Sequence, residues 1–408
     1  MTSTSPQGAG ALRIALVAAC PFPSPQGSQV FVGQMADALV SQGHEVHLLT
    51  YGQGYRVLDR GYRHHRIRRL PGDDSARSGP TPLKPVLDAM LAKALIDLSR
   101  SARIDVVHAH NYEAAAAALV ARAATGVPVI YHSHNLLGDE LETYFEAPWS
   151  QALARRVGRA LDRAIPRRAD HAIALCEYSA ARLVEAGCAK GRLSVLPPAV
   201  CDDGPQPSDA AARRRIGAAP EELVVGYCGN LDAYQNLLLL LDAAVELGRQ
   251  ASLPRRVRLV IASHQSARLL EKAARARGLG DEVRLLEVCG YAEARAVVGA
   301  CDVLALPRRL GSGYPIKLLN YMSAGKAVIV AGCGSKLIRH GVDGLVVADD
   351  DAAALAGAIA RCAGDPALVE ALGAEARRTY LTSLTWEALL ARLAPIYRSV
   401  TAGVAAAA

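Results

Sequence analysis

Short apolar runs alternate with helical patterns along nearly the whole chain. In the first half, apolar runs predict strands at 13–18, 45–50, 106–109, 129–132 and 171–174. The segments between them predict helices near 28–42, 85–101, 112–125, 150–164 and 177–186. Strands and helices that alternate at this spacing indicate an α/β fold with a parallel sheet and crossover helices.

A second alternating series follows a proline-rich stretch, 195–209, that reads as a linker. Its apolar runs predict strands at 224–227, 258–262, 283–286, 303–306, 327–330 and 345–347. We therefore predict two doubly wound Rossmann-like domains facing a cleft, with ligands at the carboxyl ends of the strands. The predicted domains are 1–198 and 199–380, and 381–408 is a C-terminal helix and tail that could pack back on the first domain.

The stretch GSGYPIKLLNYMSAGKAVIV, residues 311–330, predicts a short helix and then a buried strand. Pro315 suits the first turn of a helix at about 315–324, and Gly325 suits its C-terminal cap. A glycine-flanked helix start leaves backbone N–H groups free at the positive end of the helix dipole. Such a start favours an anion, phosphate or carboxylate, at this position.

Composition is that of a soluble globular protein, with 51% hydrophobic and 21% charged residues. The nine cysteines include no C-x-x-C pair, which favours a reducing compartment over a disulfide framework or a zinc site. The N-terminus lacks a basic segment before its apolar run, and no apolar stretch approaches the roughly 20 residues of a membrane span. We expect a cytoplasmic protein, which could also make peripheral contact with the inner face of the membrane.

The net charge of +7 is concentrated in two arginine-rich stretches, 61–70 and 151–168. Neither stretch interleaves aromatic residues with its basic ones, so nucleic acid is not expected as a partner. Three explanations of the basic stretches remain open: a face that is simply solvated, a site for an anionic substrate, and a surface that docks on an anionic membrane. Docking on a membrane would use a helix near 155–168.

Two H-x-H pairs, His108 with His110 and His132 with His134, come at the ends of buried strands. Imidazoles in such pairs could bind zinc or iron, but no carboxylate or cysteine nearby completes a ligand set, and no metal is predicted. Hydrogen bonding to a sugar or phosphate is the preferred interpretation. Gly27, at the turn after the first strand, would let backbone amides approach a ligand.

Several common active-site motifs are absent from the sequence. There is no full G-x-G-x-x-G after the first strand, no Walker-type phosphate loop and no G-x-S-x-G nucleophile elbow. These absences argue against a dinucleotide oxidoreductase, a P-loop nucleotide hydrolase and an α/β-hydrolase.

The chain resembles the family-four retaining glycosyltransferases of GT-B fold, also known as glycosyl transferases group 1. The resemblance rests on GHEVHLLT, on the H-N pair after strand 129–132, on CGNLDAYQNLLLLLDAA and on YPIKLLNYMSAGKAVI. It covers nearly the whole chain and implies that a nucleotide-diphosphate sugar binds in the second domain. In this family the leaving diphosphate can accept the acceptor's proton, so no protein nucleophile is implied.

The resemblance implies roles for individual residues. The catalytic residues would be His134 and Ser312. The donor-binding residues would be Gly27, Asn230, Gln235, Arg308, Arg309, Gly313, Tyr314, Pro315, Ile316, Lys317 and Asn320. For the acceptor we predict contacts with Ser28, His110, His132 and Asn135 and with the loop around 72–85, and the Gly27 loop could approach the donor phosphates or the acceptor.

Four positions depart from the family pattern. Ser312 and Asn320 stand where the family has two glutamates, and Asn230 and Gln235 stand where it has an arginine and a lysine that hold the diphosphate. Asn320 can still hydrogen-bond ribose hydroxyls. Because the lost cations are harder to replace, we hypothesise that Arg308, Arg309 or Lys317 supplies the positive charge; all three could instead face solvent.

The sequence therefore predicts a retaining glycosyltransferase that moves a hexose-type sugar from a nucleotide diphosphate, with UDP favoured, to a hydroxyl acceptor. No cofactor or metal is expected. The acceptor could be lipid-linked or a small metabolite. The neutral replacements also leave a second function open, that of a non-catalytic sugar-nucleotide binding protein with a degenerate donor site. A third possible function is sugar-nucleotide epimerisation, which would need acid and base residues that are not evident in the sequence.

Overall fold

The computed structural model describes residues 10–24, 27–54, 60–73, 79–206, 210–250, 253–309 and 314–405. The chain divides into two compact units. The first comprises the chain up to Ala199, together with Tyr314 and the C-terminal segment from Trp386; the second comprises the chain from Val200 and the segment Pro315–Thr385.

The first unit is built on a parallel sheet of seven strands. They are β1 (Arg13–Ala18), β2 (Glu45–Thr50), β3 (Arg63–Arg66), β4 (Val106–His110), β5 (Val129–Ser133), β6 (His171–Ala174) and β7 (Leu193–Val195). The order across the sheet is β3-β2-β1-β4-β5-β6-β7. The order reverses direction between β1 and β4, and open α/β sheets bind ligands outside the carboxyl ends of the strands at such a point.

Helices cover both faces of this sheet. They are α1 (Gly27–Ser41), α2 (Lys84–Ser101), α3 (Asn111–Thr125), α4 (Leu137–Glu140), α5 (Pro148–Arg168), α6 (Glu177–Glu185) and, from the end of the chain, α14 (Trp386–Ala405). Alternate residues of β1 face opposite cores: Ala15 and Val17 pack with α2 and α3, whereas Ile14 and Leu16 pack with α1 and α14. Both faces of the sheet are therefore buried.

The second unit contains a parallel sheet of six strands. Its strands are β8 (Leu223–Cys228), β9 (Val257–Ser263), β10 (Val283–Glu287), β11 (Val303–Leu306), β12 (Ala327–Val330) and β13 (Leu345–Val346), in the order β10-β9-β8-β11-β12-β13. Its helices are α7 (Ala210–Arg215), α8 (Leu237–Gly248), α9 (Arg268–Ala276), α10 (Tyr291–Ala300), α11 (Ile316–Ser323), α12 (Ala352–Gly364) and α13 (Pro366–Ser383). The order of this sheet reverses between β8 and β11.

The predicted fold class, two doubly wound parallel-sheet domains, is confirmed, with corrections at the sheet edges. The strand β3 lies in the stretch that we interpreted only as basic, and β7 begins before the predicted linker. The predicted helix at 150–164 is longer at both ends, Pro148–Arg168. No single helix of the described residues is long and apolar enough to span a bilayer. Among these residues, one bent pair of helices, Ala352–Gly364 with Pro366–Gly403, has the length and the composition of a span.

The ends of α11 follow from its sequence. Pro315 precedes the helix as its N-cap residue instead of occupying the first turn. At the other end Gly325 has a φ of +71°, and its N–H donates to the Met322 carbonyl at 3.0 Å while the N–H of Lys326 donates to the Tyr321 carbonyl at 3.2 Å. This pair of hydrogen bonds is the Schellman motif, so the predicted glycine cap is confirmed.

Candidate active site

The loop that follows β8 is crossed by the side chain of Lys317. Gly229 has a φ of +156°, and a Cβ atom built on it would lie 1.8 Å from Cε of Lys317. Only a glycine leaves room for the lysine at this point. The Lys317 ammonium ends 2.7 Å from Oδ1 of Asn230, at the carboxyl end of β8. The reversal of strand order in the second sheet lies next to this strand.

Asn230 is the centre of a small polar network. Its Oδ1 accepts hydrogen bonds from Lys317 Nζ and from Gln235 Nε2, each at 2.7 Å. Its Nδ2 donates to Tyr234 Oη at 2.9 Å and to a carboxylate oxygen of Asp232. Gln235 is buried, and its Oε1 has no hydrogen-bond partner among the described residues. The two neutral residues therefore hold the lysine in place.

The Lys317 ammonium lies in a setting that disfavours its own charge. Burial, and then the nearby Arg308 guanidinium, lower the pKa of Lys317 to about 8. The ammonium also lies 5.7 Å from the centre of the Tyr227 ring. An anionic ligand would stabilise the charged form of such an amine strongly, because the ligand supplies the negative charge that the surrounding protein lacks.

The two arginines after β11 have different surroundings. The guanidinium of Arg308 lies over the Tyr234 ring, 5.0 Å from its centre. Arg309 forms an ion pair with Asp350 at 3.2 Å, and both side chains are more than half exposed. An exposed ion pair of this kind contributes little to the stability of the fold. Lys317, one of the three cations considered from the sequence, contacts Asn230, the residue at the family's arginine position.

Helix α11 is attached to the end of β8 by Tyr321. The buried Tyr321 hydroxyl donates to the Cys228 carbonyl at 3.1 Å and accepts from the Cys228 N–H at 3.0 Å. Asn320 lies one turn after Lys317 and therefore on the same face of the helix. Within the part of the chain that the structure describes, its side-chain amide has no hydrogen-bond partner. The amide is available to a ligand that reaches Lys317.

The remaining predicted donor residues lie before and at the start of α11. Tyr314 and Pro315 are buried, and Ile316 is the first residue of the helix. Ser312 and Gly313 lie outside the described residues, so their predicted roles stay predictions.

The four histidines form a cluster inside the first unit. His108 and His110 lie within β4 and His132 within β5, and all three are at most 2% exposed; His134, just past β5, is 6% exposed. His108 Nε2 lies 3.1 Å from His132 Nδ1, and His110 Nδ1 lies 3.0 Å from His134 Nε2. Tyr397 of α14 hydrogen-bonds His108 Nδ1 at 2.8 Å.

Burial keeps these imidazoles neutral. It lowers the pKa of His108, His110 and His132 well below 6.5 and that of His134 to about 4. His110 and His132 were expected at the ends of their strands and within reach of the acceptor. They lie in the core instead, which favours a supporting role behind His134, and their contact with an acceptor stays a prediction.

Imidazole nitrogens of His108, His110 and His132 lie within 4.8 Å of one another, which raises the question of a metal ion. The rings of His108 and His110 are stacked, 5° from parallel with their centres 4.8 Å apart. A metal ion lies near the plane of each imidazole that binds it, and two stacked rings cannot meet that condition together. The cluster fits a metal ion poorly as arranged.

The other predicted residues of the first unit are placed as follows. Gly27 is exposed and begins α1, and Ser28 follows it, half-buried. Asn135 donates from Nδ2 to Glu140 Oε2 at 3.0 Å. Their predicted ligand contacts stay predictions.

Two family models match the chain in succession. Residues 26–199 match the glycosyl transferase 4-like domain, and residues 222–365 match the glycosyl transferases group 1. The protein belongs to the family-four glycosyltransferases of GT-B fold.

Relatives and solved structures agree with this assignment. The glycosyltransferase is 27% identical over 386 residues to D-inositol 3-phosphate glycosyltransferase of Actinosynnema mirum, covering 90% of this chain and 91% of the relative. In fold it is similar to sucrose-phosphate synthase of Thermosynechococcus elongatus (TM-score 0.79, 21% identity, 96% and 100% of the two chains). It is also similar to Anabaena HepE in complex with UDP and glucose (TM-score 0.72, 16% identity, 95% and 100%).

Sequence reasoning missed the part played by Gly229 in this glycosyltransferase. The signal was present, because a glycine directly after a buried strand often marks a close approach of another group. It could not be assigned to Lys317, because 88 positions separate the two residues in the numbering. Tyr321, which attaches α11 to β8, was missed for the same reason.

Proposed function

We propose that this glycosyltransferase moves a hexose-type sugar from UDP to a hydroxyl acceptor with retention of configuration. The observation that carries the proposal is the Lys317 ammonium, held 2.7 Å from Asn230 at the carboxyl end of β8. It restores a positive charge beside a family position that has lost its own. A binding site for a diphosphate needs such a charge, because charge-assisted hydrogen bonds are about twice as strong as neutral ones.

The face of α11 supports a nucleotide donor in particular. Lys317 and Asn320 project from the same face of the helix, one turn apart. The ammonium suits the diphosphate, and the amide, which can both donate and accept, suits the ribose hydroxyls. The N-terminal end of the helix adds the favourable end of its dipole.

The proposed reaction needs positioning and charge stabilisation more than acid–base groups. The acceptor oxygen forms a bond to the anomeric carbon as the bond from that carbon to the diphosphate oxygen breaks, and the acceptor's proton goes to the departing diphosphate. Lys317 stabilises the negative charge that develops on the diphosphate. His134, neutral at pH 7 because of its low pKa, hydrogen-bonds the donor sugar and does not act as an acid.

The relatives suggest which substrates to assay first. Several relatives that span most of this chain carry the name D-inositol 3-phosphate glycosyltransferase, so inositol 3-phosphate is the first acceptor to try. A solved structure of HepE holds UDP-glucose, which makes that compound the first donor. No metal is required in the proposed mechanism.

The test is a two-way panel of donors and acceptors. UDP-glucose, UDP-N-acetylglucosamine, GDP-mannose and ADP-glucose are each incubated with inositol 3-phosphate, inositol and other polyols, with and without EDTA. Release of UDP, unchanged by EDTA, and an α-configured product by NMR support the proposal. An inverted product contradicts retention. Tight donor binding without turnover across the panel supports the binding-protein alternative.

A further inference from the structure

The helix α5 carries a basic stripe on the side that faces away from the core. Its buried side is formed by Ala154, Gly158, Ile165 and Pro166. The opposite side carries four exposed arginines, spaced three or four residues apart so that they line up along the helix: Arg156, Arg159, Arg163 and Arg167.

The side chains of these four arginines are not engaged by other groups of the described chain. Within the part of the chain that the structure describes, none of them makes a hydrogen bond or an ion pair. Their neighbour Arg155 differs, because it forms an ion pair with Glu142. Four guanidinium groups on one helix face repel one another unless an anionic partner is present, so the stripe is suited to a negatively charged surface.

A cavity of about 1030 Å³ runs along the same helix towards α6. Six arginines line it, the four of the stripe with Arg168 and Arg182, together with three acidic residues. Two of these acids are already engaged: Glu185 pairs with Arg182 at 2.7 Å, and Asp162 accepts the backbone N–H groups of Leu137 and Gly138. With six arginines against three acidic residues, the surface of this cavity is positive overall.

Exposed apolar side chains lie at the N-terminal end of the stripe. Trp149 is 74% exposed, Leu153 56% and Val157 44%, and they follow one another at intervals of four residues. At 100° per residue, Trp149 falls on the same side of the helix as Arg156 and Arg163, with Leu153 beside them. One helix face thus combines arginines with a tryptophan and a leucine.

We propose that this face of α5 docks on the surface of an anionic lipid bilayer. Arginines bind the phosphate groups of the lipids, while Trp149 and Leu153 enter the boundary between headgroups and acyl chains. A soluble anion would use the charges but leave the apolar side chains exposed. Nucleic acid would be expected to stack on several aromatic groups, and this face offers one tryptophan. None of the residues of this surface is among those of the proposed donor site, so the two proposals can fail independently.

The test measures binding of the whole protein to vesicles by flotation. We expect binding to phosphatidylcholine vesicles with 30% phosphatidylglycerol, release at 0.5 M salt, and no binding to pure phosphatidylcholine. The triple variant Arg156→Gln, Arg163→Gln, Arg167→Gln should bind at least tenfold more weakly. The control variant Arg214→Gln, Arg268→Gln, Arg361→Gln removes the same charge from exposed positions elsewhere and should bind within about twofold of wild type.

Trp149 provides a direct signal, since the only other tryptophan, Trp386, is buried. Its emission should shift to shorter wavelength on anionic vesicles, and Trp149→Phe should abolish the shift. Circular dichroism verifies that all variants are folded. Absence of binding to anionic vesicles, or equal weakening by the two triple variants, would overturn the proposal. Binding without a shift in Trp149 emission would also overturn it, by placing the contact on another surface.

Discussion

The ammonium of Lys317 donates a 2.7 Å hydrogen bond to Asn230 after crossing the backbone at Gly229. The contact joins the first turn of α11 to the end of β8 on either side of the reversal in strand order. It explains how a chain with neutral residues at the family's two cationic positions can still present a positive charge there.

The glycine at position 229 is required for the path of Lys317. We expect Gly229→Ala to weaken UDP binding by about tenfold or more, because the new methyl group would occupy the space of the lysine side chain and the backbone is in a glycine-favouring conformation. Isothermal titration calorimetry measures this directly. Gly248→Ala is the matched control: a Cβ there meets no atom within 4 Å, and UDP binding should not change. Unchanged binding in Gly229→Ala would show that the lysine takes another path.

Asn320 is expected to recognise the nucleoside part of the donor. Asn320→Ala should weaken UDP binding by about fivefold to tenfold, the effect of one or two neutral hydrogen bonds, and should leave the affinity for inorganic pyrophosphate unchanged. Competition titrations with the two ligands separate these effects. Equal loss for both ligands would place Asn320 at the diphosphate instead.

The affinity for the donor should depend on pH through Lys317. The free enzyme has a Lys317 pKa of about 8, and the diphosphate raises it by stabilising the charged form. UDP affinity should therefore be constant near pH 7 and fall as pH rises through 8, by up to about tenfold per pH unit. Titrations between pH 7.0 and 8.8 test this, with Lys317→Met expected to show a flat profile. Parallel profiles for the two proteins would contradict it.

The histidine cluster should make stability sensitive to mild acid. In the unfolded chain these imidazoles take up protons below about pH 6.5, whereas the folded protein, with its lowered pKa values, excludes them. The free energy of unfolding should therefore fall as pH drops below 6.5, by up to about 1.4 kcal/mol per pH unit for each histidine.

Denaturant titrations from pH 7 to pH 5 measure this slope. His132→Leu should reduce the slope by the contribution of one proton, whatever it does to stability at pH 7. His264→Leu, at an exposed position, is the control for replacing a histidine outside the cluster. A slope that is the same in wild type and His132→Leu would show that the cluster takes up protons without loss of structure.

The alternation of apolar runs was enough to predict two parallel sheets, because strands buried on both faces are continuously apolar. The edge strand β3 escaped this reasoning, since its sequence, RHHR, is polar and none of its residues is buried. The sequence placed the two H-x-H pairs at the ends of strands, and His110 is the last residue of β4. It could not show how deep they lie, because the helix that covers them, α14, is about 280 residues away in sequence.

For the candidate site, the sequence could predict which kind of side chain is needed but not which residue provides it. The sequence showed that a cation was missing and named three candidates to replace it. It could not choose among them, because the choice depends on which side chain reaches Asn230 across the fold. Arg309 pairs with Asp350, whereas Lys317 reaches Asn230 through the space left by a glycine.

The most direct test of the role of Lys317 is the affinity for UDP, measured by isothermal titration calorimetry at pH 7, of wild type, Lys317→Met and Arg309→Met. Lys317→Met keeps most of the side-chain volume and removes the charge. We predict that it binds UDP tenfold to a hundredfold more weakly, the effect of about 1.5–3 kcal/mol for a hydrogen bond to a charged group, while Arg309→Met stays within about twofold of wild type. Wild-type affinity in Lys317→Met, or a larger loss in Arg309→Met, would contradict the assignment of the diphosphate-binding charge to Lys317.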